Sequence, residues 1–258
     1  MIAEAYVTHW AATRAPWVTR TQIEQDLLLS QLICEIAADD YLGSELAFRG
    51  GTCLHKLRLH PPRRYSEDLD YVRVSASGIG PLTAGLTDLG RRLGFDAKTR
   101  IGEHPKVFFR TESAEGAPIR LKVGVNTHER SPADSLEHVT YSVASPYWSG
   151  TAAVQTFTAR ELVSTKIRAL YQRKKGRDLF DLWLALTELN ISGADLIEVF
   201  DPYRPAGMTA ARAAANLRAK VSDQQFRTDL EPLVRTWPAG YDIDTAAELV
   251  IGQVLTRL

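Results

Sequence analysis

FRGGTCLHKLRLHPPRRYSEDLDYVRV, residues 48–74, combines a glycine pair, a run of arginines and two carboxylates one residue apart. ELAFR reads as a short strand running into Gly50-Gly51, and TCLHKLRL as a short helix. HPPRR is a loop, because two prolines cannot continue a helix. DLDYVRV alternates and ends in β-branched residues, so it reads as a second strand. Strand side chains alternate, so Asp68 and Asp70 project from one face while Leu69 points into the core. Their backbones lie roughly 7 Å apart, close enough to converge on one hard cation such as Mg2+. Glycine lets backbone approach a ligand closely, and amides at a helix N-terminus bind phosphate oxygens. A DxD alone is equally a solvated edge-strand pair, and a GG alone equally a tight turn. In this order they put a phosphate cradle beside a candidate metal site.

Outward from this stretch, QIEQDLLLSQLICEIAA (22–38) predicts a helix with one buried stripe, and residues 80–94 predict another. FDAKTRI, KVFFRTE and IRLKVGVN read as strands. The second half is helical. TARELVSTKIRALYQRK opens with Thr158 and Glu161 in capping-box spacing, and RDLFDLWLALTELN places Leu179, Leu182, Trp183, Leu186 and Leu189 on one face. Residues 192–200, 208–221 and 243–257 also predict helices. The domains expected are an α/β core over 1–157 and a helical domain over 158–258.

With 45% hydrophobic and 24% charged residues the chain can build a substantial core. Its 31 basic and 31 acidic residues cancel, so polyanions must be met by local clusters. Arg58, His60, Arg63 and Arg64 form one such cluster, and Arg173, Lys174, Lys175 and Arg177 another; each is also compatible with a plain solvated face. Cys34 and Cys53 are too far apart for a zinc pattern and read as reduced core thiols. No segment has the apolar length of a signal peptide or membrane span, so a cytoplasmic protein without a membrane partner is expected.

Three separated blocks, FRGGTCLHKL, RYSEDLD and TARELVSTKIRALYQRKKGRDLFDLWLAL, occur in an order that resembles the AbiEii-type, MenT-like nucleotidyltransferase toxins of type IV toxin–antitoxin systems, over roughly residues 45–190. The resemblance implies an α+β fold: a polymerase-β-like nucleotidyltransferase core, with a C-terminal helical domain completing the active site. It implies a Mg2+-dependent enzyme that takes NMP from an NTP and adds it to the 3′ acceptor end of tRNA, blocking aminoacylation and translation, and that has a cognate antitoxin. By that resemblance Gly50, Gly51 and Thr52 form the nucleotide cradle and Lys56 contacts the triphosphate. Ser66, Asp68 and Asp70 form the metal motif, Lys166 holds nucleotide phosphates, and Asp181 completes the site.

The residues themselves also allow Lys166 to snorkel at the edge of its helix's apolar face and Asp181 to pair with Arg177 at i,i+4. Asp178 reads as charge complementing its helix start. The chain departs from the resembled family at Gly124, where a third carboxylate often stands. That leaves the general base open between Asp181 and Asp70, with Asn126 a further polar contact. A small-molecule (antibiotic) nucleotidyltransferase would use the same cradle with an acidic acceptor pocket, and a degenerate nucleotide-binding module would explain Gly124.

Overall fold

The computed structural model describes residues 2–258. They form two compact units: one runs to Arg130 and takes in Leu136–Phe157, the other comprises Ser131–Ser135 and Thr158–Leu258.

The first unit is built on a seven-stranded mixed sheet. Its strands are β1 (Leu46–Arg49), β2 (Asp68–Arg73), β3 (Asp96–Arg100), β4 (Lys106–Glu112), β5 (Pro118–Asn126), β6 (Glu137–Ala144) and β7 (Ser149–Thr156). They lie in the order β3-β4-β5-β2-β1-β7-β6. The central strand β2 is antiparallel to β1 and parallel to β5. Its helices are α1 (Glu4–Thr13), α2 (Arg20–Ala38), α3 (Asp40–Glu45), α4 (Gly50–Leu57) and α5 (Ile79–Arg92).

One face of the sheet is the core. Leu69, Val107, Phe109, Leu121 and Val123 are buried there. Gly90 of α5 packs on Phe109 so closely that an added Cβ would fall 2.3 Å from its ring, so glycine is what lets helix and sheet meet. Helix α2 starts at a capping box between Thr19 and Gln22. The single buried stripe predicted for it is too narrow: Glu24, Asp26, Ser30 and Gln31 are buried as well. Glu24, Asp26 and Ser30 have partners, as burial requires. Asp26 accepts from Trp10 Nε1 at 2.9 Å and from Lys56 Nζ at 2.8 Å, and Glu24 accepts from the Ala114 amide at 2.9 Å.

The sequence reading assigns nothing to residues 137–156, which form the β6–β7 hairpin. β6 does alternate, with Val139, Tyr141 and Val143 against exposed Thr140, Ser142 and Ala144, whereas β7 offers only small or polar residues around Ala152 and Val154, so the period-2 signal is present in one strand and faint in the other. Cys34 and Cys53 are buried free thiols, as expected.

The second unit is helical: α6 (Ala159–Gln172), α7 (Gly176–Thr187), α8 (Gly193–Glu198), α9 (Ala210–Val221), α10 (Gln224–Thr228) and α11 (Ile243–Gln253). Only half of the predicted capping box forms at α6. The Thr158 hydroxyl accepts from the Glu161 amide at 3.4 Å. The Glu161 carboxylate turns instead to the amides of Ala133, at 2.7 Å, and Asp134, at 3.0 Å, and accepts from the Tyr203 hydroxyl at 2.5 Å. That carboxylate fixes Ser131–Ser135 to the helical unit. On α7, Leu179, Leu182 and Trp183 are buried as predicted, while Leu186 is only half-buried and Leu189, also half-buried, lies past the end of the helix. No helix among the described residues is long and apolar enough to cross a membrane.

Candidate active site

The two glycines at the end of β1 have different jobs. Gly50 opens α4 at φ +85°, a left-handed conformation that side chains rarely adopt, and a Cβ there would sit 2.9 Å from Asp70 Oδ2. Gly51 makes room for Arg64: a Cβ would fall 2.5 Å from Arg64 Nη2 and 3.3 Å from Ser66 Oγ. Thr52 then ties the first turn of α4 to the start of β2. Its hydroxyl lies 2.8 Å from Ser66 Oγ and 2.5 Å from the Asp68 carbonyl.

On β2, Leu69 is buried while Asp70 is exposed and Asp68 half-buried, so both carboxylates occupy the face opposite the core. The parallel register with β5 sets Asp68 beside Lys122 and Asp70 beside Gly124. Lys122 Nζ donates to Asp68 Oδ2 at 2.5 Å. A Cβ at Gly124 would lie 3.2 Å from Asp70 Oδ1. Asp70 is therefore flanked by glycine on both sides. Among the described residues no three His, Cys, Asp or Glu side chains gather into a metal-binding group. The donors present are two carboxylates, one already bonded to a lysine.

Lys56 departs from its expected role as a triphosphate contact. It is buried, with Nζ 2.8 Å from both Asp26 Oδ1 and Ser30 Oγ. Burial pulls its pKa down, but Asp26 and Tyr141 outweigh that and leave it raised. Its ammonium neutralises a core carboxylate.

The first basic cluster is likewise largely consumed inside its own unit. Arg58 pairs with Glu137 and donates to the Phe157 carbonyl at 2.9 Å. Arg64 is buried, with Nη1 3.1 Å from the Tyr65 carbonyl. Close in sequence, these residues are not an open basic face.

In the helical unit, Lys166 Nζ lies 2.8 Å from Asp181 and 3.7 Å from Asp178, with only 6% of its side chain exposed. Lys166 therefore does not snorkel. Asp178 accepts from Arg173 at 2.6 and 2.7 Å. The i,i+4 pair proposed for Arg177 and Asp181 does not form. Arg177 pairs with Asp229 at 3.0 Å, because α7 turns Asp181 inward toward α6. Lys174 pairs with Asp223 and Lys175 with Asp229, so the second basic cluster is also neutralised by acids from elsewhere in its unit.

Sequence reasoning overlooked Lys122, although the alternation in IRLKVGVN already puts it on the same strand face as Gly124. It also missed Arg64 as the reason for the second glycine, which only the fold reveals.

A strand-to-helix glycine turn set against an aspartate pair on the next strand of a mixed sheet defines a nucleotidyltransferase-like protein. Residues 31–249 match the family described as the nucleotidyl transferase AbiEii toxin of type IV toxin–antitoxin systems, and the chain belongs to that family. Its fold is similar to that of MenT4, a nucleotidyltransferase toxin from Mycobacterium tuberculosis H37Rv, with TM-score 0.53 and 17% identity over 97% of this chain and 99% of that one. An antigenic nucleotidyltransferase-like protein from Paracoccidioides brasiliensis aligns with TM-score 0.44 and 16% identity over 83% of this chain and 94% of that one. No curated protein sequence matches the chain.

Proposed function

We propose that this toxin transfers NMP from an NTP to the 3′ end of tRNA, so that the blocked terminus can no longer be aminoacylated and translation stops. The observation that carries the transfer chemistry is the exposed Asp70 between two glycines, next to Asp68 on the same strand face. The donor set suits magnesium, which takes one or two protein carboxylates and leaves its other positions to water and substrate phosphates. Asp68 and Asp70 would hold it, and bound there it would neutralise charge on the triphosphate.

The chain's own groups do the rest. Gly50 would let phosphate oxygens approach the backbone amides that open α4, while Gly51 seats the Arg64 guanidinium beside that turn. Lys122, on the same face, offers a second cation to the phosphates. The acceptor hydroxyl attacks the α-phosphorus, the new phosphodiester forms, and pyrophosphate leaves with the electrons of the broken anhydride bond. We assign the hydroxyl proton to Asp70, because Asp181 is fully buried against Lys166 and has no open side for an acceptor. For Lys166 the phosphate-holding role comes from the family resemblance; what its own unit supports is a buried ion pair.

Incubation with magnesium, total tRNA and each α-labelled NTP in turn tests the proposal. Label should enter tRNA at the 3′ end with at least one NTP, and an Asp70→Asn protein should add none. Absence of labelled tRNA with all four NTPs would end this reading.

A further inference from the structure

Arg58, Arg173 and Arg177 of the sequence clusters are spent in ion pairs, yet another basic surface exists that the sequence scatters over three strands. The ladder registers put Arg100, Lys106, Gly124 and Asp70 in one cross-strand row. Lys98, Phe108, Lys122 and Asp68 form the next. Arg110 and Arg120 follow in a third, beside Asp96. Residues in register share a face, and the intervening Val107, Phe109, Leu121 and Val123 are buried on the other one. Lys98, Arg100, Arg110 and Arg120 are exposed, and Lys106 is half-buried.

Their charges are scarcely countered. Arg100, Lys106, Arg110 and Arg120 make no ion pair among the described residues, and Lys98 meets Asp96 only at 3.9 Å. The Arg120 guanidinium lies 5.2 Å from the Phe108 ring centre, which props it up on the face. The surface is continuous with the aspartates: from Asp70 to Arg100 is three strand spacings, about 14 Å.

The geometry points to this open β5–β4–β3 face as the track for the acceptor RNA, whose phosphates cross Lys106, Arg100 and Arg110 on the way to the hydroxyl at Asp70. The inference rests on the transfer reaction proposed above and supplies the surface that reaction needs. A polyanion is the occupant that fits. The net charge of the chain is zero, so a concentration of unpaired cations beside two carboxylates is a local arrangement. Its three arginines, Arg100, Arg110 and Arg120, suit bidentate phosphate contacts.

The test is the salt dependence of tRNA binding by the full chain, wild type against Arg100→Gln/Lys106→Gln/Arg110→Gln. Three lost phosphate contacts on a single strand should flatten the log–log slope by about 2. The KM for tRNA should rise, while NTP binding with magnesium, read by thermal shift, stays at the wild-type level. Arg91→Gln/Arg92→Gln on α5, the helix against the opposite face, should leave the slope unchanged. An unaltered slope and KM in the folded triple variant would overturn the track while leaving the transferase reading intact. If the wild type labels no tRNA, the transfer reading fails, and the binding slopes still decide the track. Wild-type protein that binds tRNA without salt dependence overturns it.

Discussion

Removing Lys166 should cost folding stability before it costs chemistry. Its ammonium sits 2.8 Å from Asp181 and 3.7 Å from Asp178, with side-chain exposures of 6% for the lysine and 0% for both acids. Lys166→Met leaves Asp181 as a buried charge without its lysine, and breaking such a pair from one side costs about 3–5 kcal/mol. A domain is typically stable by about 5–15 kcal/mol, so the variant loses a large share of that. Asp178 is less affected, because Arg173 holds it at 2.6 and 2.7 Å. Replacing both partners, Lys166→Met with Asp181→Leu, removes the stranded charge and should return stability to within about 1 kcal/mol of wild type or above it. Urea unfolding followed by circular dichroism measures all three proteins, and tRNA labelling is run on each. A single variant destabilised by less than about 1 kcal/mol, or a double variant as unstable as the single one, would refute the buried-pair argument. The double variant also separates the two roles. Folded and inactive, it shows that the Lys166–Asp181 pair serves the reaction; folded and active, it makes both residues purely structural.

Gly50→Ala forces a side chain into a left-handed conformation and sets its Cβ 2.9 Å from Asp70 Oδ2, so stability should fall by about 1–2 kcal/mol in thermal melts and labelling should fall with it. The Cys34 thiol, lifted by burial to a pKa of about 11, should resist alkylation at pH 8 in the folded protein and react once urea unfolds it. Hydrogen bonds from Arg160 and Thr158 hold the Asp134 carboxyl down at about 2, below its ordinary 3.8. That stabilisation is fully present above pH 3.8 and is lost as pH falls toward 2, so Asp134→Asn should flatten the melting temperature's dependence on pH in that window.

The strand, glycine turn, loop and DLD strand of residues 46–73 were legible because each has a strong local cause: period-2 alternation, prolines, a glycine pair. In the β6–β7 hairpin the local cause is uneven: Val139, Tyr141 and Val143 alternate along β6 as a strand should, but β7 is small and polar and takes its pairing from the sheet it joins. At the candidate site the sequence pointed to the aspartates but misjudged the cations. Adjacent basic residues such as Arg173, Lys174 and Lys175 look like a patch, yet each reaches an acid that only the fold brings near: Asp178, Asp223 and Asp229. Lys98, Lys106 and Arg120 look unrelated along the chain, and sheet register sets them on one face.

Gly124 gains a different meaning from the same register. Read along the sequence, it is a missing carboxylate and an argument for a degenerate site. In the sheet it stands beside Asp70, where a Cβ would already lie 3.2 Å from Oδ1, and Gly50 closes in from the other side. A third carboxylate so near would repel Asp70 and disfavour its charged form. Without one, the groups in register with the pair are cations: Lys122 on β5, bonded to Asp68, and Arg49 on β1, the ladder partner of Asp70. Two acids flanked by Lys122 and Arg49 make a face less negative than a three-acid site, which favours the approach of a triphosphate. On that physical ground the glycine is compatible with a working transferase, and Asp70 is the group on which the reaction should depend most steeply.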